Sequence, residues 1–270
     1  MPDMSNKVAV ITGAARGLGR ALALEFYSRG FHLALLDIDG EGLEALRQTL
    51  SGGDRHVTIH HADISKEEDV VSARLDILQQ HQRIDLLINN AGVSISQPFE
   101  DMTQADFRWL FEINFWGMIH CTRHFLPDLR KAGGSHLVNI VSGFALMGFP
   151  GKTAYASSKS AITGFTHSLK TELAGSKVRI SLVIPPPLQT GIVQAGKHIS
   201  GEKRAAEAAF LAKNGMPLPK AASVIAGQVL KGNYRIVVGG KTRLTDLAAR
   251  LFPTALHRLI GKYKKRFRFV

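Results

Sequence analysis

The stretch KVAVITGAARGLG, residues 7–19, joins a short apolar run to a glycine-rich turn. Val8 to Thr12 reads as a buried strand, and Leu22, Leu24 and Phe26 continue the pattern as a helix that runs to Gly30. Strand, turn and helix in that order aim backbone N–H groups and the positive end of a helix at one point, where a phosphate is stabilised. Gly13, Gly17 and Gly19 let the chain turn tightly and let a pyrophosphate come close, with Thr12, Arg16 and Leu18 beside them. Taken alone the glycines fit a plain structural turn equally well. The context decides: a second strand, His32 to Leu36, follows and ends in Asp37, eighteen residues after Gly19. A carboxylate at that tip is placed to accept hydrogen bonds from an adenine ribose.

Outward from this unit the alternation repeats. Apolar strands are expected near His56 to His60, Asp85 to Asn89, His136 to Val141, Val178 to Ile184 and Tyr234 to Val238, with helical stretches between most of them. Strands alternating with helices imply one doubly wound α/β parallel sheet of Rossmann type with helices on both faces. Ligands then bind at the carboxyl ends of the strands. No linker, repeat or low-complexity run divides the first 240 residues, which read as one dinucleotide-binding and catalytic domain; residues 241–270 read as a basic extension.

A second constellation lies further along. If Ala154 to Glu172 is helical, Tyr155 and Lys159 project from the same face, and Ser142 stands thirteen residues before the tyrosine. An ammonium beside a phenol favours the phenolate and lowers its pKa, and a serine hydroxyl can hydrogen-bond at the same oxygen. This equips the chain to move a proton on or off an alcohol or a carbonyl. A tyrosine and a lysine four apart are also common on solvated helix faces.

With both constellations present, the chain resembles the short-chain dehydrogenases/reductases from about Lys7 to about Val238, through Thr12 to Gly19, Asp63, Asn89 to Gly92, Asn114, Ser142, Tyr155 and Lys159. The resemblance implies that Tyr155 is the general acid/base, that Ser142 holds the substrate oxygen, and that Lys159 binds the nicotinamide ribose and depresses the Tyr155 pKa. It implies that Asn114 holds a relay water. It also implies that Asp63 with its neighbour Ile64 faces the adenine, and that Asn90, Ala91 and Gly92 line the cofactor. One departure stands out. Where the family has Pro-Gly and then a threonine, this chain has Pro185, Pro186, Pro187, Leu188, Gln189 and Thr190. Thr190 falls in place to meet the carboxamide, but Pro186 stiffens the backbone and removes a donor. Asp37 argues for NAD over NADP because it repels a 2′-phosphate, whereas Arg16 argues the other way.

Cys121 is the sole cysteine, the first strand starts by residue 7, and no apolar run approaches a membrane span; a cytoplasmic protein is the expectation. The eleven histidines, His60 and His61 included, show no metal-ligand spacing and read as solvated or strand-end positions, so no metal is expected. Phe144, Leu146, Met147 and Phe149 after Ser142, with the insert Leu188 to Lys213 as a lid, point to a hydrophobic substrate such as a steroid, retinoid or long-chain alcohol. A homodimer or homotetramer is expected of such an enzyme. The competing class is a non-catalytic scaffold that keeps the dinucleotide fold and binds a membrane or partner through its tail.

The net charge of +12 is concentrated at one end. Residues 241–270 hold nine Lys/Arg against Asp246, so eight of the twelve charges lie there. Leu244, Leu247, Ala248, Leu251, Phe252, Ala255, Leu256, Leu259, Ile260 and Tyr263 recur at three- and four-residue steps, an amphipathic stripe that Pro253 should split. Two readings remain open. The stripe packs on the core or a sister subunit, or it lies on anionic lipid. The run Lys262 to Arg268 lacks any surrounding nucleic-acid fold, and no nucleic acid is expected.

Overall fold

A computed structural model describes residues 6–198 and 200–263; the basic run 264–270 lies outside the described residues. Seven parallel strands form the central sheet: β1 (Val8–Thr12), β2 (His32–Asp37), β3 (Val57–His61), β4 (Leu86–Asn89), β6 (His136–Ile140), β7 (Arg179–Ile184) and β9 (Arg235–Val237). They lie in the order β3-β2-β1-β4-β6-β7-β9, each within a residue or so of the expected bounds. The order reverses between β1 and β4, so a crevice opens beyond their carboxyl ends.

Two apolar layers sandwich the sheet. On one face α1 (Gly17–Ser28), α2 (Gly40–Leu50) and α10 (Leu218–Leu230) bury Leu22, Phe26, Leu46 and Ile225. On the other, α3 (Glu67–His81), α5 (Gly117–Lys131) and α7 (Thr153–Glu172) bury Ile77, Phe125 and Leu169. A strand covered on both faces has no solvent side, which is why all of β1 is buried and why it reads as a continuous apolar run.

Smaller elements shape the cleft. The helix α4 (Gln104–Phe111) runs through a single π turn, Glu112–Trp116, into α5. The short α6 (Phe144–Met147) and α8 (Ile192–Ala195) flank the cleft, with α9 (Gly201–Asn214) beyond them. A two-residue pairing of β5 (Ile95–Ser96) with β8 (Lys197–His198) ties the insert to the loop after β4; nothing in the sequence pattern signals it.

The structure narrows two readings that the sequence left open. Of the two places expected for the histidines, His60 takes the strand-end one, near the end of β3, and it is buried there: its Nδ1 lies 2.8 Å from Asp76 and its Nε2 2.7 Å from Thr58 Oγ1. It sits on the face of β3 that turns toward α3, where polar side chains must be paired. The C-terminal stripe does not pack on the core. α11 (Gly240–Leu251) and α12 (Pro253–Lys262) break at Phe252, as Pro253 requires. α11 buries Thr242 and Asp246, the latter ion-paired to Arg235 of β9. Leu244, Leu247, Leu251, Phe252 and Leu259 are 51–70% exposed. The helix docks by its polar side and turns its apolar side outward.

Candidate active site

Ser142, Tyr155 and Lys159 come together at the carboxyl end of the sheet. β6 delivers Ser142 at its carboxyl end, and the first two turns of α7 deliver Tyr155 and Lys159; all three are buried yet line one cleft. Lys159 Nζ donates to the Ile140 carbonyl at 3.1 Å and lies 5.9 Å from the Tyr155 ring centre. Burial pushes the Tyr155 phenol above its ordinary value, the Ser142 hydroxyl pulls it back, and the Glu207 carboxylate adds to the rise. Burial also lowers Lys159 to about 8. Without a ligand, then, the lysine does not drag the phenol into the neutral range. Both groups have lost water, and each is driven toward its uncharged form.

The opposite end of the cleft is a cradle for a dinucleotide. Gly13, Arg16, Gly17, Leu18, Asp37, Asp63, Ile64, Asn90, Ala91, Gly92, Pro185 and Thr190 line the same cavity as the three residues above, a space of about 1290 Å³. This exceeds the roughly 300–1,000 Å³ that holds one drug-sized ligand, so a cofactor and a substrate fit end to end. At Gly13, with φ +66°, a Cβ would stand 2.7 Å from the Ala91 Cα; at Gly19 it would stand 1.9 Å from the Gly13 carbonyl oxygen. No side chain caps α1 and no acid occupies its first turn, so its leading amides remain open to an anion. The Asp37 carboxylate is held by the Ala15 amide at 2.9 Å and the Asp39 amide at 3.0 Å. Asp63 is oriented likewise by the amide and hydroxyl of Ser65 at 3.0 and 2.7 Å. Arg16 is exposed on the rim. These residues fit a nicotinamide dinucleotide.

Three expected site residues stand behind the wall instead of in it. The Thr12 hydroxyl accepts from the Asn90 and Ala91 amides at 3.0 and 3.1 Å, which ties the glycine-rich turn to the end of β4. Gly19 provides the close turn described above. Asn114, in the π turn, accepts from the Val93 amide at 2.8 Å and donates to the Val93 carbonyl at 3.0 Å and to Ser158 Oγ at 3.1 Å. Both of its N–H donors are used, so its side chain is a brace between the loop after β4 and α7. A one-turn π irregularity is a frequent mark of a functional site.

At the substrate end the cleft is lined by Trp109, Phe144, Met147, Ile192, Phe210 and Leu211. Leu146 packs against a core cluster and the Phe149 ring lies tilted against Phe144 with centres 5.0 Å apart, so only two of the four apolar residues after Ser142 reach the cavity. Lys152 and Glu207 also line it. Sequence reading passed over both, because Glu207 lies fifty-five residues beyond Lys152 in an insert with no motif of its own.

A profile of the short chain dehydrogenase family matches residues 7–198. The putative oxidoreductase SadH of Mycobacterium tuberculosis is 31% identical over 271 residues, covering 99% of this chain and 98% of that protein, C-terminal segment included. A short chain dehydrogenase/reductase from Burkholderia phymatum, solved with NAD, superposes with a TM-score of 0.86 at 28% identity, over 96% of this chain and 97% of that one. A metagenomic short-chain oxidoreductase solved with NADP gives 0.71 at 27% identity, over 87% and 97%.

Proposed function

This chain belongs to the short-chain dehydrogenase/reductase family, and from that premise we propose that it transfers a hydride between NAD(H) and a hydrophobic alcohol or ketone. One observation carries the reading: Ser142, Tyr155 and Lys159 meet in a cavity whose other end is a phosphate cradle. A scaffold has no physical use for that juncture. A bound nicotinamide dinucleotide supplies the hydride donor or acceptor.

The chain's own residues do the rest. The Tyr155 phenol gives its proton to a substrate oxygen, or takes one back, while the Ser142 hydroxyl fixes that oxygen in place. Lys159 holds the ribose, its Nζ anchored on Ile140 O. Asn114 keeps α7 seated against the loop that carries Asn90 to Gly92. Asp37, already oriented by two amides, receives the adenine ribose hydroxyls and disfavours a 2′-phosphate, which outweighs Arg16 on the rim. Pro186 lines the cleft beside the expected nicotinamide position, and with no N–H it leaves the carboxamide to Thr190. The apolar wall of Trp109, Phe144, Met147 and Phe210 supports a hydrophobic substrate such as a steroid, retinoid or long-chain alcohol. Following NADH absorbance across a panel of alcohols and ketones tests this, and turnover confined to small polar substrates would overturn the substrate class.

Exposed Phe99 and Trp116 support a homodimer or homotetramer, since aromatic side chains anchor interfaces. The C-terminal helices support peripheral contact with anionic lipid from the cytoplasmic side. Lys241, Arg243, Arg250, Arg258 and Lys262 are exposed beside the outward leucines, and no helix among the described residues is long and apolar enough to cross a membrane. A second copy is a poorer occupant, because a two-fold contact through this patch would bring two clusters of cations together with no exposed acid on the patch to offset them.

A further inference from the structure

Lys152 stands one turn before Tyr155, just ahead of the first turn of α7, and is 1% exposed. Its ammonium donates to Ser94 Oγ at 3.0 Å, to Ser96 Oγ, and to Glu207 at 2.6 Å, so all three of its protons are placed. Glu207, on α9, is itself buried; its second oxygen accepts from the Ser96 hydroxyl at 2.5 Å and meets His198 Nε2 at 3.0 Å. Three further side chains, Ser94 from the loop after β4, Ser96 of β5 and His198 of β8, thus close on one ion pair between the start of α7 and α9. That pair lines the substrate end of the cleft, with Lys152 Nζ 5.9 Å from the rings of both Tyr155 and Phe144.

Stability does not explain the pair. Two charges taken out of water repay little, and an apolar pair of similar volume commonly seats two elements as well or better. What an ion pair adds is a sharp difference between closed and open. With α9 in place Lys152 is fully partnered; with α9 displaced, an ammonium remains in a dry pocket without its countercharge. The other ties are the two-residue pairing of β5 with β8, the Leu188 to Met216 bridge that closes the base of the insert, and Lys197 at its edge, which pairs with Asp106 at 2.5 Å and lies over the Trp109 ring; of the ion pairs that hold α9 itself to the body, the buried one is Lys152 with Glu207.

We propose that Lys152 and Glu207 form a latch through which closure of α9 over the substrate positions Tyr155. The proposal rests on the reading of Tyr155 as the acid/base residue. Lys152 and Glu207 are positioning residues in it: they fix where the first turn of α7 sits when the cleft is shut. The charged and titratable groups around the phenol fit this arrangement. Ser142 faces it from the end of β6, Lys159 from its own helix, and Glu207 from α9, where the carboxylate reaches far enough to raise the phenol's pKa after burial has done so. Burial likewise holds Lys152 below its ordinary value, against the pull of Glu207.

Glu207→Gln keeps the shape and most hydrogen bonds but removes the countercharge, so it should fold; Lys152→Met removes the other half. Each should raise the substrate KM about tenfold or more, out of proportion to any fall in kcat, while NADH Kd by fluorescence titration stays within about twofold. Each should also speed amide exchange across α9 in the NADH-bound protein. The double variant Lys152→Met/Glu207→Met should regain most of the lost kcat/KM, because an apolar contact reseats the segment. A merely structural pair would lower Tm and scale kcat with the folded fraction while leaving KM alone. That pattern, or strictly additive losses in the double variant, would overturn the latch. If no alcohol or ketone is turned over at all, the enzyme reading fails, and the exchange measurement, which needs no substrate, decides the latch separately.

Discussion

The body of the molecule and its C-terminal pair of helices use the same alphabet to opposite ends. In α1, Leu22, Ala23 and Phe26 recur at helical steps and are fully buried, while the polar side faces water. In α11, Leu244, Leu247 and Leu251 recur at the same steps and are exposed, while Asp246 and Thr242 face the protein. Burying each of those leucines would be worth roughly 1.5–3 kcal/mol, so an isolated protomer forgoes a large stabilisation that some surface can recover. The comparison teaches that hydrophobic periodicity announces a face to be covered and does not say what covers it.

The most severe test of the division is chemical. Tyr155→Phe should lower kcat by about 10²- to 10⁴-fold, leave NADH binding by fluorescence titration nearly unaltered, and leave lipid binding untouched. Near-normal turnover would remove the acid/base assignment and, with it, the functional meaning of the body.

Lys159→Met sharpens the same region in two directions. Activity and cofactor affinity should both fall. The cofactor-free protein should nevertheless melt higher at pH 7, because a buried ammonium whose pKa sits at about 8, down from 10.5, opposes folding. The sign follows from the direction of the shift. Below about pH 8 both states carry the proton and the penalty is complete; as pH rises toward 10.5 the folded state is already neutral and the penalty fades. The Tm difference between variant and parent should therefore shrink with rising pH, as thermal scans from pH 7 to 10 would show.

For the tail, full-length protein should co-sediment with anionic vesicles at low salt, bind neutral ones less, and release as salt rises, since each basic residue near the surface contributes about 1 kcal/mol, screened by ions. A chain ending at Gly240 should stay soluble, keep its cofactor and fail to bind. Aggregation of that chain, with vesicles ignored by the parent, would show the exposed leucines to be a subunit contact. The milder pair Leu247→Glu and Leu251→Glu should weaken vesicle binding without lowering Tm, because neither side chain is buried in the protomer.

The smallest expected effect lies at the adenine end. Asp37→Ala should raise the NADP(H)/NAD(H) ratio of kcat/KM by about one order of magnitude, a difference of roughly 1.4 kcal/mol, if Asp37 sets the proposed preference. A parent enzyme that already favours NADPH would reverse the roles assigned to Asp37 and Arg16.

Much of this molecule is legible in its sequence. Strand, glycine turn, strand and acid in residues 7–37 follow from local rules: a strand's two-sided burial gives a continuous apolar run, and a turn that a Cβ would fill demands glycine. Tyr155 and Lys159 share a face because a helix repeats every 3.6 residues, and Pro253 splits the tail because it cannot continue a helix it does not begin. Tertiary structure alone decided the rest. It put Thr12, Gly19 and Asn114 behind the cleft wall, where they brace it. It raised the Tyr155 pKa, since dehydration depends on what surrounds a group and not on its spacing from a lysine. It brought Glu207 to Lys152 across fifty-five residues, and it turned the leucines of α11 outward, because the ion pair between Asp246 and Arg235 fixes which side of that helix meets the sheet.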